Sequence, residues 1–87
     1  MAHQRYAVLI PKGVEKQIRA VPEPTRKRIV DKIVSLAANP RPRGAEKLSD
    51  QEDYRIRVGD YRVVYSIEDK KVFVTIGRVK HRRDVYR

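Results

Sequence analysis

The sequence predicts an α+β fold in two layers. Three observations carry this expectation. An apolar run closed by Pro11 opens the chain, two stretches with helical spacing follow, and three alternating runs joined by short turns complete it. Two helices can cover only one face of such a sheet. The expected order is an N-terminal strand, a two-helix hairpin, then an antiparallel three-strand meander with the helices on one face. A chain of 87 residues should form a single domain spanning residues 1–87.

Each element has its own signal. Arg5 to Ile10 reads as the first strand, ended by Pro11. Lys12 to Val21 reads as a short helix, with Val14, Ile18 and Val21 spaced i, i+4, i+7. Pro22 and Pro24 interrupt it and seed a second helix from about Glu23 to Ala38, since proline is tolerated in a first turn. Its apolar stripe is Ile29, Val30, Ile33, Val34, Leu36 and Ala37, and Asn39-Pro40 stops it. Arg41 to Asp53 reads as a polar loop pinned to the core by Leu48.

The stretch YRIRVGDYRVVY, residues 54–65, then reads as a hairpin closed by Gly59-Asp60. A tight turn pairs Val58 with Tyr61, Arg57 with Arg62, Ile56 with Val63 and Arg55 with Val64. Alternation places Tyr54, Ile56, Val58, Tyr61, Val63 and Tyr65 on the core face, and Arg55, Arg57, Arg62 and Val64 on the other. Directly opposed like charges destabilise a ladder, so Arg57 against Arg62 suggests a cluster kept to meet an anion. Glu68 to Lys71 reads as the second turn, and Val72 to Val79 as the last strand, with Val72, Val74 and Ile76 inward. Arg78 and Lys80 would continue that inward register. Either Gly77 marks a bulge or the strand runs past the core edge.

Composition narrows the function. The formal net charge is +10 and the sequence pI about 10.3. The segment from Arg55 to Arg87 holds ten Lys/Arg against four acids, so +6 of the charge lies beside the hairpin. This balance favours a polyanionic partner. Without cysteine there is no disulfide framework, thiol nucleophile or zinc knuckle. The acids are scattered and no glycine-rich phosphate loop occurs, so neither metal nor cofactor is expected. No apolar run approaches the ~18–20 residues of a membrane span. The run near Ala7–Ile10 is too short for a signal peptide core, and a cytoplasmic location is expected.

The combination of YRIRVGDYRVVY with the downstream HRRDVY resembles the C-terminal half of RelE-family toxins of type II toxin–antitoxin systems. The first strand, the helical pair and the loop carrying Pro40, Pro42, Lys47 and Leu48 are similar too, so the likeness covers essentially the whole chain. It implies an endoribonuclease that cuts messenger RNA in the ribosomal decoding site and is silenced by a RelB-like antitoxin. By position, the family's basic pair falls on Arg55 and Arg57, where some members have lysines. Its next arginine falls on Arg62, its basic residue at the last strand's end near Lys80 or Arg82, and its C-terminal tyrosine on Tyr86. A ParE-like branch, similar in fold, inhibits DNA gyrase without cutting RNA. A plain nucleic-acid-binding module is the third alternative.

The chemistry implied is attack of the RNA 2′-hydroxyl on the adjacent phosphate, without metal. Arg57 and Arg62, with Arg55, suit stabilisation of the charged phosphorane, because guanidinium grips phosphate with two donors. Arginine is a poor general base. His81 is the natural substitute, since histidine's reference pKa of about 6.5 suits either proton role. Lys80, crowded by cations, is a second candidate. Tyr86 can stack on a base, donate a proton to the leaving group, or simply lid the core. Arg78, Arg82 and Arg83 are expected to bind RNA. Arg26 and Lys27 read as a solvated helix face that could make a secondary contact with ribosomal RNA.

Overall fold

The computed structural model describes residues 5–48 and 52–85. Tyr86, expected at the site, lies outside them. The elements are β1 (Ala7–Leu9), α1 (Lys12–Arg19), α2 (Thr25–Ser35), β2 (Glu46–Lys47), β3 (Asp53–Val58), β4 (Tyr61–Glu68), β5 (Phe73–His81) and α3 (Arg82–Val85). Five strands form one sheet in the order β1-β5-β4-β3-β2. All neighbours are antiparallel except β1, which runs parallel to β5. The two long helices pack on one face, as expected.

The core follows from helical and strand periodicity. Val14 and Ile18 of α1, with Val21 just beyond it, are buried against Ile29, Ile33 and Leu36 of the second helical stretch. Beneath them lie Tyr54, Ile56 and Val58 of β3, Val63, Tyr65 and Ile67 of β4, and Val74, Ile76 and Val79 of β5. Burying a branched aliphatic or aromatic side chain stabilises by roughly 1.5–3 kcal/mol. The hairpin register is the one expected, from Val58↔Tyr61 through Arg57↔Arg62 to Arg55↔Val64. Gly59 has φ +60° and Asp60 does not share it, the pattern of a II′ turn, which needs glycine first.

Six expectations are corrected. The first strand shrinks to three residues, because β1 has a single neighbour and Tyr6 donates its N–H to the Ala37 carbonyl instead. The second helix ends at Ser35, where Leu36 and Ala37 switch to bonds three residues back. Its stripe is narrower than expected: Val30 and Val34 are exposed, since the i, i+4, i+7 line through Ile29, Ile33 and Leu36 already faces the sheet. The polar loop contains β2, paired to β3 through Glu46↔Arg55 and Lys47↔Tyr54. That pairing turns Leu48 away from the core, where it is 42% exposed. Finally, Val72 is not a strand residue. It closes the β4–β5 turn at φ +60°, an unusual backbone for a β-branched side chain.

At the sheet end opposite the hairpin turn, Arg41 ties four segments together. Its guanidinium donates to Tyr54 Oη (3.0 Å), Glu52 Oε2 (2.8 Å) and both Asp69 oxygens (3.1 and 2.8 Å). Tyr6 Oη donates to Asp69 (2.7 Å) and Tyr54 Oη to Glu52 (2.9 Å). Arg41, then Tyr6, hold the Asp69 carboxyl down at about 2. Hydrogen bonds from Arg41 and Tyr54 lower Glu52. Tyr65, stacked on Tyr54 at 5.9 Å, donates to the Pro40 carbonyl at 2.8 Å. Burial pushes its hydroxyl up to about 12.

Candidate functional site

The bulge in β5 decides what the open sheet face carries. Val64 pairs with Arg78 and Tyr65 with Ile76, so Gly77 is the extra residue. Before the bulge Val74 and Ile76 point to the core; after it Val79 does. Arg78 and Lys80 therefore join Arg55, Arg57 and Arg62 on the face away from the helices. A Cβ on Gly77 would meet only the Val64 carbonyl oxygen, at 3.5 Å.

The result is two cross-strand rows. One runs Arg57–Arg62–Lys80, and the other Glu46–Arg55–Val64–Arg78. Neighbours across strands are about 5 Å apart at the backbone, and the rows, two residues apart, about 7 Å. Five cations thus fill two rows with one acid, Glu46, while Asp53 stands one row further along the same face. Glu46 accepts a hydrogen bond from Arg55 at 2.6 Å, which, with Arg55's charge and those of Arg57 and Arg62, lowers its carboxyl pKa. Arg62 is the one buried charged residue among those described, at 8% exposure. The Arg55 Nε is buried without a hydrogen-bond partner among the described residues. Leaving such a donor unmatched costs about 1–3 kcal/mol.

Two hollows open on this side. One, of about 80 Å³, is lined by Leu48, Arg55, Arg62, Val64, Arg78 and Lys80. The other, of about 100 Å³, lies at the hairpin end between Arg57, Arg62 and Arg82. Arg82 is held there by its N–H on the Asp60 carbonyl (2.7 Å), with its Nε 3.9 Å from the Asp60 carboxylate.

Other sequence-predicted residues are not brought to these rows. His81 pairs with Tyr61, so it faces the helix side of the sheet. Its ring stands edge-on to Tyr61 at 5.1 Å, and its Nδ1 accepts the Arg83 N–H at 3.3 Å. It lines a cleft of about 300 Å³ with Gln17, Val21, Tyr61, Lys80 and Asp84, so Lys80 borders both this cleft and the one between the cationic rows. The same bulge that brings Lys80 to the arginines turns His81 away from them. Arg83 is exposed on α3. Arg26 and Lys27 lie on α2, in the helical layer, and pair with Glu23 (3.3 Å) and Asp31 (3.1 Å).

Sequence reasoning missed Glu46 and Leu48 as members of the face. Both follow from the two-residue strand β2, too short to leave a periodic signal. Chemically, the rows can hold a phosphate between planar guanidiniums and place one ammonium, that of Lys80, beside it. Among the described residues no three His, Cys, Asp or Glu side chains gather as metal ligands. No described helix is long and apolar enough to cross a membrane.

Comparison with known proteins agrees with this architecture. The family model described as ParE toxin of type II toxin-antitoxin system, parDE, matches residues 8–86. The RelE–RelB complex of the archaeon Pyrococcus horikoshii contains a similar chain, with 31% identity and a TM-score of 0.78 over 90% of this chain and 96% of that one. The isolated RelE toxin of E. coli is 26% identical, with a TM-score of 0.76 over 93% and 90%. The RelB–RelE complex of Methanococcus jannaschii gives 29% and 0.72 over 90% and 94%. No curated protein sequence matches the chain.

Proposed function

Since the chain belongs to the RelE/ParE superfamily, the toxins of type II toxin–antitoxin systems, we propose that it is a metal-independent, ribosome-dependent endoribonuclease that cuts messenger RNA. The observation that carries this reading is the row Arg57–Arg62–Lys80 on the sheet's open face. Arg57 and Arg62 stabilise the dianionic phosphorane formed when the 2′-hydroxyl attacks. Each preorganised donor of this kind is typically worth ~3–4 kcal/mol in rate. The 2′-hydroxyl gives up its proton to solvent as it attacks, and Lys80, which carries a transferable proton as arginine in effect does not, donates that proton to the leaving 5′-oxygen. The ribosome aligns the 2′-hydroxyl, so cutting of free RNA is weak. Arg55, Arg78 and Arg82 hold the flanking strand.

An antitoxin encoded alongside is the second partner, as in the RelB-bound relatives. An acidic segment would neutralise the cationic face. A second reading has its own support. The matching family model is that of ParE, and His81, expected from the sequence in a proton-transfer role, faces away from the arginines. That reading makes the chain a non-catalytic gyrase inhibitor.

Toeprint mapping of a translating messenger separates them. Decoding-site cuts that disappear in Arg62→Ala, with gyrase supercoiling unaffected, support the nuclease. Inhibited supercoiling without cuts by the folded wild type overturns it.

A further inference from the structure

Leu48 has no core to fill, yet it is held firmly. Its N–H donates to the Asp53 carbonyl at 2.9 Å, and the two residues before it pair with β3. It lies on the open face in the row of Asp53 and Ser66, and it shares the lining of one cleft with Val64, which sits between Arg55 and Arg78 in the second row. These two apolar groups and four cations line the ≈ 80 Å³ cleft. An exposed leucine is ordinary in itself. An apolar seat ringed by four cations is not, because a surface built for phosphate alone gains nothing from it.

We infer that this cleft is a seat for a single RNA base, with Leu48 and Val64 beneath the base and the surrounding cations on its own and the neighbouring phosphate. The inference rests on the RNA reading above and deepens it. A nucleotide offers an apolar ring and an anionic phosphate a few ångströms apart, matching the spacing of rows about 7 Å apart on one strand face. Guanidinium planes such as those of Arg55 and Arg78 stack on unstacked bases. An aliphatic side chain on an acidic peptide would use the floor and the charge but not those planes. At about 80 Å³ the cleft receives one edge or face of a single base and has no room for a stack. Leu48 is therefore a base-contacting residue next to the second row, on its side away from the reacting phosphate of the first.

The test uses the isolated protein and no ribosome. Nuclear magnetic resonance titrations with the four ribonucleoside 3′-monophosphates and with inorganic phosphate give paired affinities for wild type, Leu48→Ala and Leu48→Met. At least one nucleotide should bind about five- to tenfold more tightly than phosphate. Leu48→Ala should remove most of that advantage and leave phosphate affinity unchanged, while Leu48→Met keeps it. A nucleotide-to-phosphate ratio near one, or a ratio indifferent to Leu48→Ala, overturns the seat. So does tighter, Leu48-dependent binding of a short acidic leucine-containing peptide, which would assign the cleft to a protein partner. The messenger-cutting assay is read separately: cuts with an unaltered ratio remove the base seat and leave the nuclease, and a Leu48-dependent ratio without cuts does the reverse.

Discussion

Arg57 opposite Arg62 is a local cost that the hairpin sequence makes visible. Gly59-Asp60 sets the register, and the register sets the pair. Arg62→Ala relieves like-charge crowding in the row but truncates a buried side chain, so stability should fall by about 1–3 kcal/mol with the fold retained. Messenger cutting should fall by ~100-fold or more, the loss of a preorganised donor. Chemical denaturation beside a ribosomal cutting assay checks both. Lys80 allows a sharper distinction. Lys80→Arg keeps the charge but loses the transferable proton. If Lys80 protonates the leaving oxygen, Lys80→Arg should be as impaired as Lys80→Ala in single-turnover cutting. Rescue by arginine would reduce Lys80 to a phosphate contact.

The last strand is where a single residue acts on a whole element. Gly77 shifts the inward parity, so Val79 is buried while Arg78 and Lys80 reach the open face. Both outcomes left open for this glycine are thereby resolved in favour of the bulge. The substitution Gly77→Ala has room, with only one contact at 3.5 Å, and should change stability by no more than about 1 kcal/mol. Deleting Gly77 removes only the extra residue: strict alternation then leaves Val79 inward and Arg78 and Lys80 on the open face, so the protein should still fold cooperatively, without the local bend of the bulge. Thermal unfolding by circular dichroism reads both variants. The edge strand β2 is a second case: two residues, by pairing, convert Leu48 from an expected core pin into part of the cationic face.

At the scale of the molecule, charge is segregated. The +10 chain gathers five cations on the open sheet face, while Arg41 is neutralised by Glu52 and Asp69 at the far end. This end gives a pH signature. The folded pKa of Asp69, about 2, lies below its ordinary 3.8. Its contribution to stability is therefore present above pH about 4 and lost as pH falls from about 4 to 2. Tyr65 behaves oppositely: its folded value, about 12, lies above 10.0, so its contribution holds below pH about 10 and is lost as pH rises toward 12. Unfolding midpoints measured across pH should fall at both ends. Asp69→Asn should flatten the acid limb and leave the alkaline one. An unchanged acid limb would mean that Arg41 does not tie the end of the sheet through Asp69.

The sequence by itself determined the two-layer fold, the helical stripe through Val14, Ile18 and Val21, the hairpin register and the arginine pair, because each rests on spacing within a few residues. Tertiary structure alone decided the rest. The parallel docking of β1 on β5 joins segments more than sixty residues apart. The face taken by Glu46 and Leu48 depends on β2 finding β3. The Arg41 knot converges from the segments around Tyr6, Arg41, Glu52 and Asp69. Lys80 and His81 adjoin in sequence, yet the bulge and the pleat send them to opposite faces of the sheet. Local periodicity gives which residues share a face, but only the pairing of distant strands chooses which face meets the core.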